Sequence, residues 1–540
     1  MKKIRAKVMA ATIMLILGTF LTSGVSNADE INKTEKFVIL HTNDVHGNVA
    51  PSDSCLGMAA VSQLKKDYEK QGYDVLLMDA GDMLQGNSLA SYSKGKSLVM
   101  LMNAVGYDVM GLGNHDFDYG SDVLEQRISE MDFPALAANI TVDATGEPFT
   151  EENTVFTLSD GMKVGVFGLD TPTTPTTSSP KNTAGLSFAS GKDLYAAAQA
   201  QIDELKGEGC NVIVCLAHLG EENAFEEINA KETVENTRGI SVLIDGHDHQ
   251  VESQTVKDLD GNDVLIAETG SYLKNVGILT YEDGSFTENL VESGTYKGSD
   301  PEVEKLIERY SDEVEKNLSI KVAVTDWDLS GDGYDKETNL GDLGADAIYW
   351  QASQALSAAP DAALVNAGGF RKSIGAGDIL QRDIMDVFPF NNQICTIKVS
   401  GKELLNALEA ATQVSPQPMG SFPQVSHIKY SLNMTVPYKN GELYPGTSYY
   451  APAAPGSRVT ILEVGGKPFN PEATYTIATN EFVAAGGDTY QSLAKAGAKT
   501  IVYAGYLDNE ALLNYLKTEL GGTVPKIYAK PQGRVTLIGG

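Results

Sequence analysis

The sequence predicts an α/β protein of two domains joined by a helix, and three observations predict it. Short apolar runs alternate with amphipathic stretches through the first half. A charged segment with helical apolar spacing follows near residue 300. New strand-like runs among Gly- and Pro-rich loops then occupy residues 321–540. At 540 residues the chain exceeds one domain of about 150 residues, and 42% hydrophobic residues supply more than one core.

The N-terminus stands apart from that pattern. Lys2, Lys3, Arg5 and Lys7 form a basic head, and an uncharged stretch runs from Val8 to Thr22. Ser26 and Ala28 suit the −3 and −1 positions of a cleavage site. The apolar stretch is shorter than the roughly 20 residues of a spanning helix. Residues 1–28 therefore read as a signal peptide, with no stable membrane span after its cleavage. The expected destination is extracellular or the cell envelope, either periplasm or cell surface. The 41 basic against 72 acidic residues give a net charge of −31, and losing 1–28 removes four bases and no acid. Such a surface repels nucleic acid polymers. It admits a small anionic substrate where metals or local arginines reverse the field. Four cysteines are too few for a disulfide scaffold and leave room for one bridge without fixing its partners.

The first domain is expected at 36–298. Its strand candidates are Phe37–Leu40, Val75–Met78, Val109–Gly113, Val164–Leu169, Val212–Ala217, Val242–Ile244 and Val264–Ala267, with helices expected over Met58–Glu69, Leu124–Met131 and Leu194–Leu205. Residues 299–320 form a linker helix, with apolar residues at 303, 306, 307, 310, 314 and 318, cap candidates at Ser299 and Asp300, and Pro301 in the first turn. Its acidic residues are expected to form a solvated face. The second domain, 321–540, shows strand-like runs at Cys395–Val399, Val459–Val464, Tyr475–Thr479 and Thr500–Tyr503.

The histidines carry the functional signal. Of seven, five stand in short polar clusters that follow apolar runs: Asp44-Val-His46, Gly113-Asn114-His115-Asp116-Phe117-Asp118, His218, and Gly246-His247-Asp248-His249, with Gly81-Asp82 beside them. In an open α/β sheet the carboxyl ends of parallel strands share an edge, so these loops converge. A lone histidine is usually a surface or satisfied core residue, but five in Gly-flanked loops after strands are not. Converged Asp, His and Asn without Cys suit divalent Zn, Mn or Fe. Seven such groups exceed what one ion needs and fit two divalent metal ions about 3.5–4 Å apart.

These motifs resemble the dinuclear metallophosphoesterases in their 5′-nucleotidase branch. The resemblance implies an N-terminal metallophosphoesterase α/β sandwich and a C-terminal α/β (α+β) substrate-binding domain. By it, Asp44, His46 and His249 hold one ion and Asn114, His218 and His247 the other, with Asp82 bridging. His115 is then the non-ligand imidazole and Asp118 its orienting carboxylate. The implied chemistry is attack of a metal-activated hydroxide on phosphorus, with charge on the phosphoryl oxygens neutralised.

In the second half, Asn366-Ala-Gly-Gly-Phe-Arg371, Val387-Phe-Pro-Phe390 and Asn480-Glu-Phe482-Val-Ala-Ala-Gly-Gly-Asp488 are weak signals singly. In this order they match the same family's C-terminal domain. The likeness implies that Phe390 and Phe482 sandwich a nucleobase, Asn366 and Asp488 reach the nucleoside, and Arg371 meets phosphate. Before Asn339-Leu340-Gly341 this chain offers Tyr334 and Lys336 where the family usually carries phosphate-binding arginines. Asp328-x-Ser330-x-Asp332-Gly333 begins like a calcium loop but has Asn339 rather than Glu at its twelfth position.

The expected function is a secreted, metal-dependent phosphohydrolase that converts nucleoside 5′-phosphates to nucleoside and phosphate. Its partner is then a small-molecule nucleotide. The alternatives within the class are a 2′,3′-cyclic-nucleotide 2′-phosphodiesterase/3′-nucleotidase and a UDP-sugar hydrolase. Outside it stands an envelope binding or adhesion protein that keeps the fold, against which the complete ligand set with His115 and Asp118 argues.

Overall fold

The computed structural model describes residues 36–178, 182–220, 229–444, 449–497 and 499–539. The expected signal peptide lies outside them. Among the described residues no helix is long and apolar enough to cross a membrane.

The first half is built on two six-stranded mixed sheets. One runs 285–292, 275–282, 36–42, 74–79, 109–111, 135–136, with the last four strands parallel. The other runs 251–257, 263–269, 242–244, 212–218, 163–170, 153–157, and its four middle strands are parallel. Strand periodicity explains the layers. In Lys36–Thr42, Phe37 and Ile39 meet Val164, Val214 and Ile244 between the sheets. Val38 and Leu40 point the other way, to the helices Met58–Lys70 and Lys96–Val105. Phe167, Cys215 and Leu243 pack under the helix Lys192–Gly207 on the far side. Both faces of each parallel strand are covered, which is why these segments read as unbroken apolar runs.

The strand at Val109–Gly111 ends earlier than the apolar run does. Gly113 leaves the ladder to donate its N–H to Asp116 Oδ2 at 2.9 Å, and a short 3₁₀ turn, Asn114–Phe117, follows.

The helix Pro301–Leu318 is more than a solvated connector. Asp300 caps it, and Val303, Ile307, Val314 and Leu318 join the core beneath the first sheet. It belongs by packing to the first half and meets the second through the ion pair Glu315–Arg382. All four cysteines are free thiols, three of them buried, so the bridge for which the sequence left room is not formed.

The second half centres on a five-stranded sheet ordered 423–426, 362–366, 474–480, 393–400, 502–507. Ala363 and Val365 face the helix Asn339–Ala355, and Ala362 and Leu364 face the helix Gly401–Ala410. The strand Ala362–Asn366 and the strand Thr474–Asn480 run parallel. Their carboxyl ends carry Asn366 and Asn480 toward the first half's loops.

Candidate active site

Seven side chains singled out in the sequence meet beyond the carboxyl ends of the first half's parallel strands. His46 Nε2 lies 3.2 Å from His249 Nε2. Asp44 Oδ1 is 3.3 Å from His249 Nε2 and 3.8 Å from His46 Nε2 and His218 Nε2. Asp82 Oδ2 is 3.2 Å from His218 Nε2 and 3.7 Å from His46 Nε2. His247 Nδ1 lies 2.9 Å from Asn114 Oδ1. Asp44 and Asp82 thus stand between two groups of nitrogen and oxygen donors.

The backbone is bent hard to achieve this. Asp44, His46, Asp82, His247 and His249 adopt φ of 49°, 48°, 59°, 93° and 60°. Non-glycine residues rarely take that region, and it concentrates where surrounding structure over-determines a site. Gly113 is needed for close approach, since a Cβ there would stand 2.5 Å from Asp82 Oδ1.

Hydrogen bonds settle which atoms face inward. His46 Nδ1 donates to Gln85 O at 3.0 Å and His218 Nδ1 to Ala80 O at 2.8 Å, so each presents Nε2. Asp82 Oδ1 accepts the His115 backbone N–H at 2.7 Å, and its Oδ2 faces His218 and His46. Asp44 Oδ1 and His218 Nε2 are buried without a well-formed hydrogen bond. Burial holds His46 well below the usual imidazole range, so it keeps a lone pair to offer. Burial opposes charge on His218, yet Asp82 and Asp44 hold it well above that range. Buried lone pairs facing one another, with carboxylates that favour positive charge, fit divalent cations.

His115 is placed apart from these donors. Its Nδ1 pairs with Asp118 Oδ2 at 2.7 Å, and Asp118 Oδ1 accepts Ser178 Oγ–H at 2.9 Å. Burial works against its charged form, but Asp118 and Asp82 raise its pKa. His41, in the strand rather than a loop, is buried 3.6 Å from Glu288 and takes no part.

The second half closes over this edge. A cavity of about 680 Å³ is lined by Asn114, His115, Asp118, His247 and His249 from one side, and by Tyr334, Asn366, Arg371, Phe390, Phe482 and Asp488 from the other. The Phe390 ring centroid lies 5.5 Å from that of His115, and the Arg371 guanidinium 5.8 Å from Phe390. Arg371 Nη2 is buried and has no hydrogen-bond partner among the described residues. Asn366 Nδ2 donates to Asp488 Oδ2 at 3.3 Å, and burial lifts the Asp488 carboxyl to about 7. Lys336 instead pairs outside with Asp335 and Asp332.

Sequence reasoning missed several supporting residues. Asp116 lies inside a recognised motif and Asn43 directly before one, and neither carries a sequence signal of its own. Asp116 accepts from Asp82 N at 3.0 Å, Leu84 N at 3.0 Å and Gly113 N at 2.9 Å, tying two loops together. Tyr272 packs its ring 5.7 Å from His46 and 5.4 Å from His249, and only its position after a strand could have marked it.

Fold and donor set together define a two-metal phosphoric ester hydrolase. Residues 37–251 match the calcineurin-like phosphoesterase family, which works with two divalent metals, and residues 318–495 match the 5′-nucleotidase C-terminal domain. The two matches lie in this order along one chain and leave only residues 252–317 between them. It is 29% identical over 539 residues to a 5′-nucleotidase of Vibrio cholerae, covering 90% of this chain and 91% of that one. It is also 29% identical over 543 residues to a trifunctional nucleotide phosphoesterase of Bacillus subtilis, covering 92% of this chain but 34% of that longer protein. The crystal structure of a 5′-nucleotidase precursor from Thermus thermophilus superposes with a TM-score of 0.78 at 27% identity, covering 94% of this chain and all of the other.

Proposed function

We propose that this protein removes phosphate from nucleoside 5′-monophosphates, and that it does so outside the cytoplasm after losing residues 1–28. One observation carries the reading: a single cavity joins the Asp/His donor cluster to Phe390, Phe482, Asn366 and Asp488. A phosphate beside the donors therefore leaves the attached nucleoside among two aromatic rings and a carboxyl–amide pair. The relatives named as a 5′-nucleotidase and a nucleotide phosphoesterase support the same substrate class.

In this reading Asp44, His46, Asp82 and His249 would hold one ion and Asp82, Asn114, His218 and His247 the other. When bound, such a pair supplies Lewis-acid charge and a nucleophile drawn from water. The remaining work falls to the chain. Asp118 and Ser178 orient His115, so that its Nε2 faces the cavity and can donate a proton to the departing ester oxygen. Arg371 offers Nη2 to a phosphoryl oxygen, charge-assisted and shielded from water. Phe390 and Phe482 hold the base by stacking, and Asp488 with Asn366 bonds the nucleoside hydroxyls.

A phosphate-release screen tests this. Metal-stripped protein reloaded with Mn²⁺ or Zn²⁺ is offered AMP, 3′-AMP, 2′,3′-cyclic AMP and UDP-glucose. The expected result is the highest kcat/KM on AMP. Preference for the cyclic or 3′ substrate, or for the sugar nucleotide, would overturn the 5′ assignment and leave the hydrolase class standing.

A further inference from the structure

Asp44 uses its two oxygens unequally. Oδ2 accepts the Asn43 Nδ2–H at 2.8 Å and the His247 backbone N–H at 3.0 Å. Oδ1 accepts neither and faces His249, His218 and His46. The carboxylate could rotate about its last bond unless something held it. Asn43 is nearly fully buried, and all four of its hydrogen-bonding positions are taken. Its second N–H reaches Gly270 O at 2.7 Å, and its Oδ1 accepts Thr269 N–H at 2.9 Å and Thr269 Oγ1–H at 2.6 Å. These bonds also fix its amide orientation, because a flipped amide would oppose oxygen to Gly270 O and nitrogen to two donors. The anchor continues past Gly270, since Tyr272 N donates to Asp44 O at 2.8 Å.

We propose that Asn43 is a positioning residue for the metal pair: it holds Asp44 Oδ2, so that Oδ1 alone is presented to the ions. The inference rests on the reading of Asp44 as a ligand. Partners of metal ligands govern affinity because a ligand already oriented loses no rotational freedom on binding.

The test is titration of metal-stripped protein with Mn²⁺ by calorimetry, alongside the visible spectrum of the Co²⁺ form. Asn43→Ala should weaken Mn²⁺ binding about 10- to 100-fold and alter the Co²⁺ bands. Thr269→Val removes one bond to the amide at constant shape and should give a smaller loss in the same direction. It also keeps the question answerable if Asn43→Ala does not fold. Gln424→Ala is the control: this buried amide in the second half bonds Gly333 O and Lys336 O at 3.0 and 2.8 Å. It should lower thermal stability without moving Mn²⁺ affinity or the spectrum. Mn²⁺ binding within twofold of the parent in both Asn43→Ala and Thr269→Val would overturn the proposal, as would an equal loss in Gln424→Ala. Asp44→Ala separates the two failures. If it too retains Mn²⁺, the ligand assignment is at fault; if it loses Mn²⁺ while the Asn43 and Thr269 variants do not, only the role of Asn43 falls.

Discussion

The two walls of the cleft use different physics. The first-half wall is a nest of charge: two carboxylates and four imidazoles, mostly buried, on loops with five left-handed non-glycine residues. The second-half wall offers two phenyl rings, one guanidinium and a carboxyl–amide pair at the ends of two parallel strands. A charged nest works only with every donor in place, because an unpaired buried charge costs several kcal/mol. A stacking wall is a sum of contacts and degrades by increments. Damage to the first wall should therefore be nearly all-or-none, and damage to the second graded.

The sharpest break of that contrast is Asp82→Ala. Its carboxylate faces both His218 and His46, so the variant should lose at least one metal ion and fall to background turnover. Elemental analysis with phosphate release reads both. His115→Ala should lower kcat by about 10²–10⁴ with metal content retained. If it lost metal as Asp82→Ala does, His115 would be part of the nest instead.

Next come the rings. Phe482→Ala should raise KM for AMP by about 10-fold, since a stacked base contributes about 1–3 kcal/mol. Hydrolysis of a small aryl phosphate should stay unchanged. Phe390 packs against His115, so Phe390→Ala should affect both substrates, which refines a simple division of labour between the halves. Equal effects of the two rings on the small ester would erase that distinction.

Asp488 tests the second wall by pH. Burial raises its carboxyl from the ordinary range to about 7. The protonated form is favoured in the folded state, so this group's contribution to stability is present below about pH 4 and is lost as pH rises through 7. Thermal unfolding of Asp488→Asn should show a flatter decline over that window than the parent.

The smallest effect belongs to the seam. Asp386 accepts Ser88 N–H across the halves at 2.7 Å and Lys372 Nζ–H at 2.8 Å. Asp386→Ala should cost about 1–3 kcal/mol of stability and leave the metal site intact. Melting curves and Mn²⁺ titration check the pair of statements.

The metal wall was legible because its residues come in tight motifs after apolar runs: Asp44-x-His46 and His247-x-His249 each carry two donors, and Asn114-His115 sets one donor beside the non-ligand imidazole. The second wall was legible only as three weak signals in order. Asn43, Asp116 and Tyr272 escaped because their chemistry is ordinary and their partners are distant. Asn43 bonds Thr269 across 226 residues of sequence, and nothing near it marks the contact. In the helix Pro301–Leu318 the spacing marked the apolar side, Val303, Ile307, Val314 and Leu318, but not that the first half's core is what covers it, since amphipathic spacing says which side is apolar and not what lies against it.

The sequence by itself determined the strand runs, the donor types and the order of the motifs, because periodicity and side-chain chemistry are local. Only the tertiary structure decided that Phe390 lies against His115, that Arg371 reaches the metal edge, and that Asp44 presents Oδ1 rather than Oδ2. Those outcomes depend on the packing of two sheets and on the closure of one half over the other: Phe390 and Arg371 lie far in sequence from what they reach, and even the adjacent Asn43–Asp44 pair is oriented by Thr269, Gly270 and His247.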